Sequence, residues 1–341
     1  MGTCNTYFQE KQEIDPYNVP QESQPIKLDN IEESQQKVIK IQAHVRGHQQ
    51  RKQVEELKLK ESEDIPPTEI ATPFYGTFEP QKDIVLKVLQ ENPKFNWPAR
   101  AEFKNLTRLA PYKIIKNEAI YKGQWKNSKR HGRGIQYWPD SSVYQGDWEN
   151  DMANGQGRLI HSDGDYYQGS WVNDRAQGKG IFKHIDGQMY EGDWLEDKQN
   201  GFGKEIQHLF IYEGEFQNGF KHGKGKLTWK EDQSYYDGEF QNGIIQGTGT
   251  YYFKDGKKYQ GYWVNGKMHG YGEMYYCNGK IYKGQFEQDV KHGQGEMRYP
   301  DGKVYIGEWK NNKQNGQGKV ILADGRIGKG IFKDGKLIKD D

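Results

Sequence analysis

Residues 144–189 read YQGDWENDMANGQGRLIHSDGDY followed by YQGSWVNDRAQGKGIFKHIDGQM, two copies of one 23-residue pattern set end to end. Each copy opens on Tyr-x-Gly-x-Trp and runs through Asn-Gly-x-Gly or Gln-Gly-x-Gly to an Asp-Gly pair. Tyr144, Gly146 and Trp148 stand at i, i+2 and i+4, so an extended chain puts all three on one face. Gln145 and Asp147 between them turn to the opposite face. Gly155 and Gly157 of the next strand set bare backbone beside the rings, and a ring can lie over glycines that have no side chain to pack. Asp163-Gly164 supplies the φ > 0 positions of a tight turn. Each copy is therefore two short strands and two turns. A lone hairpin is marginal in water, so the copies must stack on one another.

The pattern spreads in both directions from this pair. Its opening aromatics are Tyr121 and Trp125, Tyr144 and Trp148, Tyr167 and Trp171, Tyr190 and Trp194, Tyr212 and Phe216, Tyr236 and Phe240, Tyr259 and Trp263, Tyr282 and Phe286, and Tyr305 and Trp309. A partial tenth copy carries Gly328, Gly330, Phe332 and Asp334-Gly335. This array, from Ala119 to Leu337, resembles the MORN repeat family. The resemblance implies an all-β repeat fold: an elongated, single-layer antiparallel β-hairpin array without a catalytic centre. At about 4.8 Å per strand, nine two-stranded copies give a length of roughly 90 Å. It also implies that the eighteen aromatics line a groove on which a peptide or helix docks, and that homodimers form. The fourth copy is one residue short and carries Gln207-His208 in place of Asp-Gly. The fifth is one residue long, with Asp232 and no following Gly. Register is least well specified at residues 205–240.

Composition fits this reading. The chain has 341 residues, 33% of them hydrophobic, and 42 glycines, well above average usage. A thick core is excluded, whereas thin glycine- and aromatic-rich β-structure is not. With 49 Lys+Arg against 48 Asp+Glu, bulk charge points to no nucleic-acid partner. Cys4 and Cys277 are too few for a disulfide framework or a cysteine zinc site. No apolar run is long enough to span a membrane, and the N-terminus does not read as a cleaved signal.

Several features could be mistaken for chemistry. His131, His222, His269 and His292 recur at one repeat position, but Asn154, Gln177, Asn200, Gln246 and Asn315 fill the same slot, which marks a polar turn position rather than a metal ladder. Asp147, Asp193, Glu215, Glu239 and Glu308 alternate away from the rings and are expected to be solvated. No phosphate-binding loop and no nucleophile with a partner stands out. No catalytic residue, metal site or cofactor is assigned.

Residues 34–60 are of another kind. Val38, Ile41 and Val45 mark one stripe of a helix, and the segment from Lys37 to Lys60 is strongly basic. Ile41, Gln42, Arg46, Gly47, Arg51 and Val54 fill the six positions of an IQ motif, to which this stretch is similar. The resemblance implies binding of calmodulin or a related EF-hand protein, with apolar anchors in a lobe's groove and Arg46 and Arg51 at its acidic rim. At the N-terminus, Met1-Gly2-Thr3-Cys4-Asn5-Thr6 fits the N-myristoylation pattern, with Gly2 as acceptor and Cys4 as a second, palmitoyl, anchor.

The domains expected are a disordered N-terminus with the lipidation site at 1–33, the IQ helix at 34–60, a connector at 61–118 and the array at 119–337. In the connector, Pro66-Pro67 ends any preceding helix, residues 81–90 suit a short helix, and residues 111–120 suit a strand covering the array's open edge. The whole reads as a scaffold that docks partners on the array and calmodulin on the arm, cytoplasmic and held at a membrane's inner face. The alternatives are a component of the ciliary axoneme resembling radial spoke head MORN proteins, and a regulatory partner of a lipid kinase.

Overall fold

The computed structural model describes Pro66 and residues 68–92, 95–97 and 100–340. The IQ segment and the N-terminal lipidation pattern lie outside them. The described residues form twenty-three strands, one α-helix and one short 3-10 helix. They divide into two compact units: one reaches His208 and includes Phe216–Gly219, the other comprises Leu209–Glu215 and Phe220–Asp341.

In the first unit β1 (Ala71–Pro73), β2 (Thr107–Arg108) and β3 (Tyr112–Ile114) precede the repeat, which begins with β4 (Ile120–Lys126) and β5 (Lys129–Tyr137) and continues with β6 (Val143–Glu149) and β7 (Met152–Ile160). Antiparallel pairing runs strand to next strand, with glycine opposite glycine: Gly123 faces Gly134, Gly134 faces Gly146, and Gly146 faces Gly157. The second unit has a glycine ladder of its own, through Gly238, Gly249, Gly261, Gly272, Gly284, Gly295, Gly307, Gly318 and Gly330. The long fifth copy keeps its register: Gly225 faces Gly238 and Leu227 faces Tyr236. Its extra residue is absorbed in the turn, where Gln233 adopts φ 61° and its N–H closes onto the Trp229 carbonyl.

Two different turns alternate. At the Asp-Gly corners only the glycine is left-handed, as at Gly164 (φ 95°), and the Asp163 carboxylate accepts the N–H of Asp165. At the other end the strands close through two residues that are both left-handed, such as Asn150 (φ 50°) and Asp151 (φ 69°). This is the tight turn whose twist matches paired strands, and Asn, Asp and Gly tolerate it best.

The segment before the array covers its first edge. β3 (Tyr112–Ile114) pairs with one half of β4, Tyr112 opposite Tyr121, as expected from residues 111–120. β2 (Thr107–Arg108) pairs with the other half, Thr107 opposite Trp125. β1 (Ala71–Pro73) then pairs with β3. The helix expected at 81–90 is α1 (Asp83–Glu91). Val85 and Val88 pack on Val143 and Ile160, with Ile135, Tyr137 and Tyr166 at the margin. The Arg158 guanidinium, almost wholly buried, donates to the Asn92 carbonyl at the helix C-terminus (2.6 Å) and to Gln145 Oε1 (2.8 Å). No described helix is long and apolar enough to cross a membrane.

Candidate functional site

All eighteen repeat aromatics are buried, from Tyr121, Tyr212, Tyr236, Tyr259, Tyr282 and Tyr305 with no exposed surface to Trp194 at 7%. Each Tyr lies over the glycine ladder; a methyl group added at Gly134 or Gly157 would overlap the Tyr121 or Tyr144 hydroxyl. The hydroxyl donates to the carbonyl three residues on, as Tyr121 does to Gln124 (2.9 Å) and Tyr305 to Glu308 (3.0 Å). Each Trp indole donates to a glycine carbonyl of the preceding copy, Trp148 to Gly134 and Trp309 to Gly295. Trp125, which has no preceding copy, has a buried indole N–H without an acceptor among the described residues.

The rings form an edge-to-face ladder. Tyr144 meets Trp148 of its own copy at 5.0 Å and Trp171 of the next at 5.4 Å. Tyr282 meets Phe286 at 5.2 Å and Trp309 at 5.1 Å. Such a pair adds about 0.5–1.5 kcal/mol beyond area burial, so the ladder is the sheet's core. This corrects the expected open groove: the rings that were to line it fill it. A partner must use other side chains.

Of the carboxylates expected to be solvated, Asp147 is instead buried, while Asp193, Glu215, Glu239 and Glu308 are half-exposed. Pairing shifts between Gly146 and Trp148, so that Asn154, Gly155 and Gln156 bulge opposite Asp147 alone. A bulge leaves backbone N–H groups without a ladder partner. Asp147 Oδ2 accepts the Gln156 N–H (3.1 Å), Asp193 that of Phe202, Glu215 that of Lys224 and Glu308 that of Gln317. Gln124 and Gln285 do the same in other copies. These side chains are structural acceptors. Asp147, fully buried, also pairs with Arg100 (3.1 Å), yet burial raises its carboxyl above the ordinary range.

The two-residue turns stitch copies together. The Asp151 N–H donates to the Arg130 carbonyl, while Asp151 Oδ1 accepts the Arg130 N–H. The pairs Asp174–Ala153, Asp197–Ala176, Asp289–Met268 and Asn312–Lys291 repeat this two-way bond. The histidine and amide slot serves the same junction: His131 Nδ1, Gln177, Asn200 and Gln246 accept N–H groups from the neighbouring turn. No cluster of three metal-ligating side chains exists among the described residues.

Two lysines, Lys221 and Lys291, are buried against core rings. Lys291 has its ammonium 5.2–5.3 Å from the Tyr276, Tyr282 and Trp309 rings. Burial pushes its pKa down to about 7, with Lys280 and Lys257 adding repulsion. The three ring faces oppose that by favouring the charged form.

The other face carries the accessible groups. Phe202 is exposed in the first unit and Tyr262 and Tyr271 in the second. Tyr262 and Tyr271 border a cavity of about 520 Å³ with Asp237, Glu239, Glu273 and Lys224. Neither the period nor the aromatic pattern singles these positions out, because they are the variable x positions of Gly-x-Trp and Gly-x-Gly.

The MORN repeat family matches nine segments, 121–143, 144–166, 167–189, 190–206, 212–232, 236–258, 259–281, 282–304 and 305–325, over half of the chain. The chain is a MORN repeat protein. The IQ calmodulin-binding motif matches residues 35–55, which contain Ile41, Gln42, Arg46, Gly47, Arg51 and Val54. Comparison with curated proteins finds no match. Solved structures similar to this MORN protein include the TCP10 domain of Danio rerio CPAP in complex with a STIL peptide, at 13% identity over 65% of this chain and 98% of that one, TM-score 0.39. They also include the Drosophila melanogaster SAS-4 TCP domain in complex with a proline-rich motif of Ana2, at 11% identity over 59% and 90%, TM-score 0.27.

Proposed function

We propose that this MORN protein is a non-enzymatic scaffold that carries calmodulin, or a related EF-hand protein, on its IQ segment and other proteins on its array. The observation that carries this reading is the complete IQ pattern from Ile41 to Val54 on the same chain as nine MORN repeats. An EF-hand lobe takes an amphipathic basic helix by its apolar stripe and meets the flanking charges with its own acids. Gly2 and Cys4 supply a two-lipid anchor, since one myristoyl chain alone holds a membrane only marginally. The array's ring ladder is spent on its own packing, so docking falls to the variable face, around Phe202 in the first unit and, separately, around Tyr262 and Tyr271 in the second.

The test is affinity purification of the wild type and of Ile41→Ala/Gln42→Ala from detergent-extracted cells, with and without calcium, followed by mass spectrometry. Loss of an EF-hand protein from the double variant is expected. Absence of any such protein from both samples would end the calmodulin reading. In the same cells, membrane partition that vanishes in Gly2→Ala supports the lipid anchor; partition unchanged by that substitution removes it.

A further inference from the structure

In the first unit the segment before the repeats lies on the variable face of the second copy. Val85 and Val88 of α1 pack on Val143 and Ile160, which face each other across β6 and β7. Further along the segment, Arg100 donates to Asp147 Oδ2 at 3.1 Å, and its guanidinium lies 4.8 Å from the centre of the Phe103 ring. An apolar helix face, then an arginine held between a ring and a carboxylate, fills this seat and leaves Asp147 with no exposed surface.

The sixth copy, in the second unit, presents the same seat to solvent. Tyr236, Gly238 and Phe240 hold the places of Tyr144, Gly146 and Trp148. Tyr235 and Tyr252, again opposite each other, therefore stand where Val143 and Ile160 do, and Asp237 and Glu239 stand where Gln145 and Asp147 do. The Tyr235 and Tyr252 rings stack at 4.3 Å, and Tyr252 is exposed. Asp237 is exposed and has no hydrogen-bond or ion-pair partner among the described residues. Glu239 accepts the Thr248 hydroxyl through Oε1. Both carboxylates line the cavity of about 520 Å³ that Tyr262 and Tyr271 border.

The chemistry of this seat selects its occupant. Among the described residues that line the cavity, Lys224 is the one cation, and Glu273 is already paired with Lys283 (2.9 Å). Asp237 and Glu239 together outweigh Lys224, which favours a cation from outside. Tyr262 lies opposite Thr248, the residue that Glu239 holds, so a ring stands beside the carboxylate. In the first unit Phe103 brings that ring along with the arginine, whereas here the array supplies its own. A guanidinium can lie flat on a ring while its edge donates to a carboxylate; an ammonium is a point charge without that geometry. Elsewhere in the second unit the two positions read Glu213 and Glu215, Gln260 and Tyr262, Lys283 and Gln285, and Ile306 and Glu308. Within this unit an acidic pair borders exposed tyrosines at the sixth copy alone.

We propose that this seat docks a protein segment built as α1 and Arg100 are: a short amphipathic helix on Tyr235 and Tyr252, followed by an arginine that meets Glu239 and Asp237 over the Tyr262 ring. This rests on the docking reading of Tyr262 and Tyr271 given above, and adds the chemistry of the partner to it.

The experiment pans a phage-displayed library of random peptides, long enough for a short helix and a tail, on the immobilised full chain. Enriched peptides are then synthesised with a fluorescent label and titrated by anisotropy. The chains compared are the wild type, Asp237→Asn/Glu239→Gln, Tyr262→Ala/Tyr271→Ala, and Glu308→Gln as the same repeat position away from the seat, each with an unchanged circular dichroism spectrum. Enriched peptides are expected to carry an arginine after an apolar helical pattern. Their affinity should fall roughly tenfold or more in the acid double variant, and equally when that arginine becomes glutamine. Lysine in its place should restore only part of the loss, and Glu308→Gln should bind as the wild type does. Enriched peptides without arginine, or arginine peptides that bind the acid variant as tightly as the wild type, overturn the proposal. If such peptides still depend on Tyr262 and Tyr271, the docking reading stands and its partner has other chemistry. If no enriched peptide depends on either pair, both fall. The calmodulin reading is untouched, since no variant alters the IQ residues.

Discussion

At the scale of the residue, the repeat depends on the absence of a side chain. Gly157 lies beneath the Tyr144 hydroxyl, and a single methyl there has nowhere to go. Gly157→Ala is expected to lower stability by about 1–3 kcal/mol, the range for overpacking, read as a fall in urea midpoint. Gly187, with open space around it but φ 92°, tests the opposite cause: Gly187→Asn, which tolerates a left-handed backbone, should cost well under 1 kcal/mol. Lys291 gives a pH signature. Its folded pKa near 7 lies below the ordinary 10.5, so the unfolded chain holds a proton that the folded chain releases between those values. The contribution of Lys291 to stability therefore rises with pH from about 7 to about 10. Urea midpoints measured across that window should climb in the wild type and lose most of that climb in Lys291→Met. Above pH 10 the buried tyrosines reverse the trend, because burial holds hydroxyls such as Tyr251 above their ordinary value and the unfolded chain then ionises first.

At the scale of the element, the hairpin needs two kinds of turn and a bulge, and the sequence displays them unequally. Strands, their facing residues and the glycine floor follow from Tyr144, Gly146 and Trp148 alone. The Asp-Gly corner was also legible, but the two-residue turn was hidden because its occupants vary: Asn150-Asp151, Glu196-Asp197, Asn242-Gly243 and Gln288-Asp289 share a backbone, not a composition. The role of Asp147 and its counterparts was hidden for a different reason. Alternation places them facing water, and only the bulge, which no periodicity reveals, brings an orphan N–H within their reach. A graded series at Asp289 separates the two demands of the turn, φ 73° and the bond to the Met268 N–H (2.8 Å). Asp289→Asn keeps both and should be nearly neutral. Asp289→Gly keeps only the backbone freedom, and Asp289→Ala keeps neither, costing about 2–3 kcal/mol. Equal losses for Gly and Ala in thermal unfolding would mean that the bond alone matters.

At the scale of the molecule, the array can be read from its sequence and its use cannot. Periodicity located nine copies because each one repeats the same physical solution, whereas the seat of Arg100 on Asp147 arises from a non-repeating segment meeting the second copy. The two margins of the array differ as well. β4 is covered by β2 and β3, while the last strand, Lys336–Asp340, is exposed at every position and the preceding strand has Gly328 where other copies have Tyr. Hydrogen exchange should accordingly be fastest in residues 327–340 and much slower at Tyr121–Trp125; equal protection at both margins would contradict this. The turn-to-strand bonds have a further consequence. Asp289 reaches back to Met268, and Met268 occupies the place that Ile245 holds one copy earlier. Excise residues 259–281, and Asp289 would find Ile245 at the same distance, with Phe286 lowered onto Tyr236. Excise half as many, and the bonds that span the cut would lose their mates. A corner turn can take up a single residue, as at Gln233, but the strands themselves can be removed only in whole periods, as a text can lose a line and still scan but cannot lose half of one.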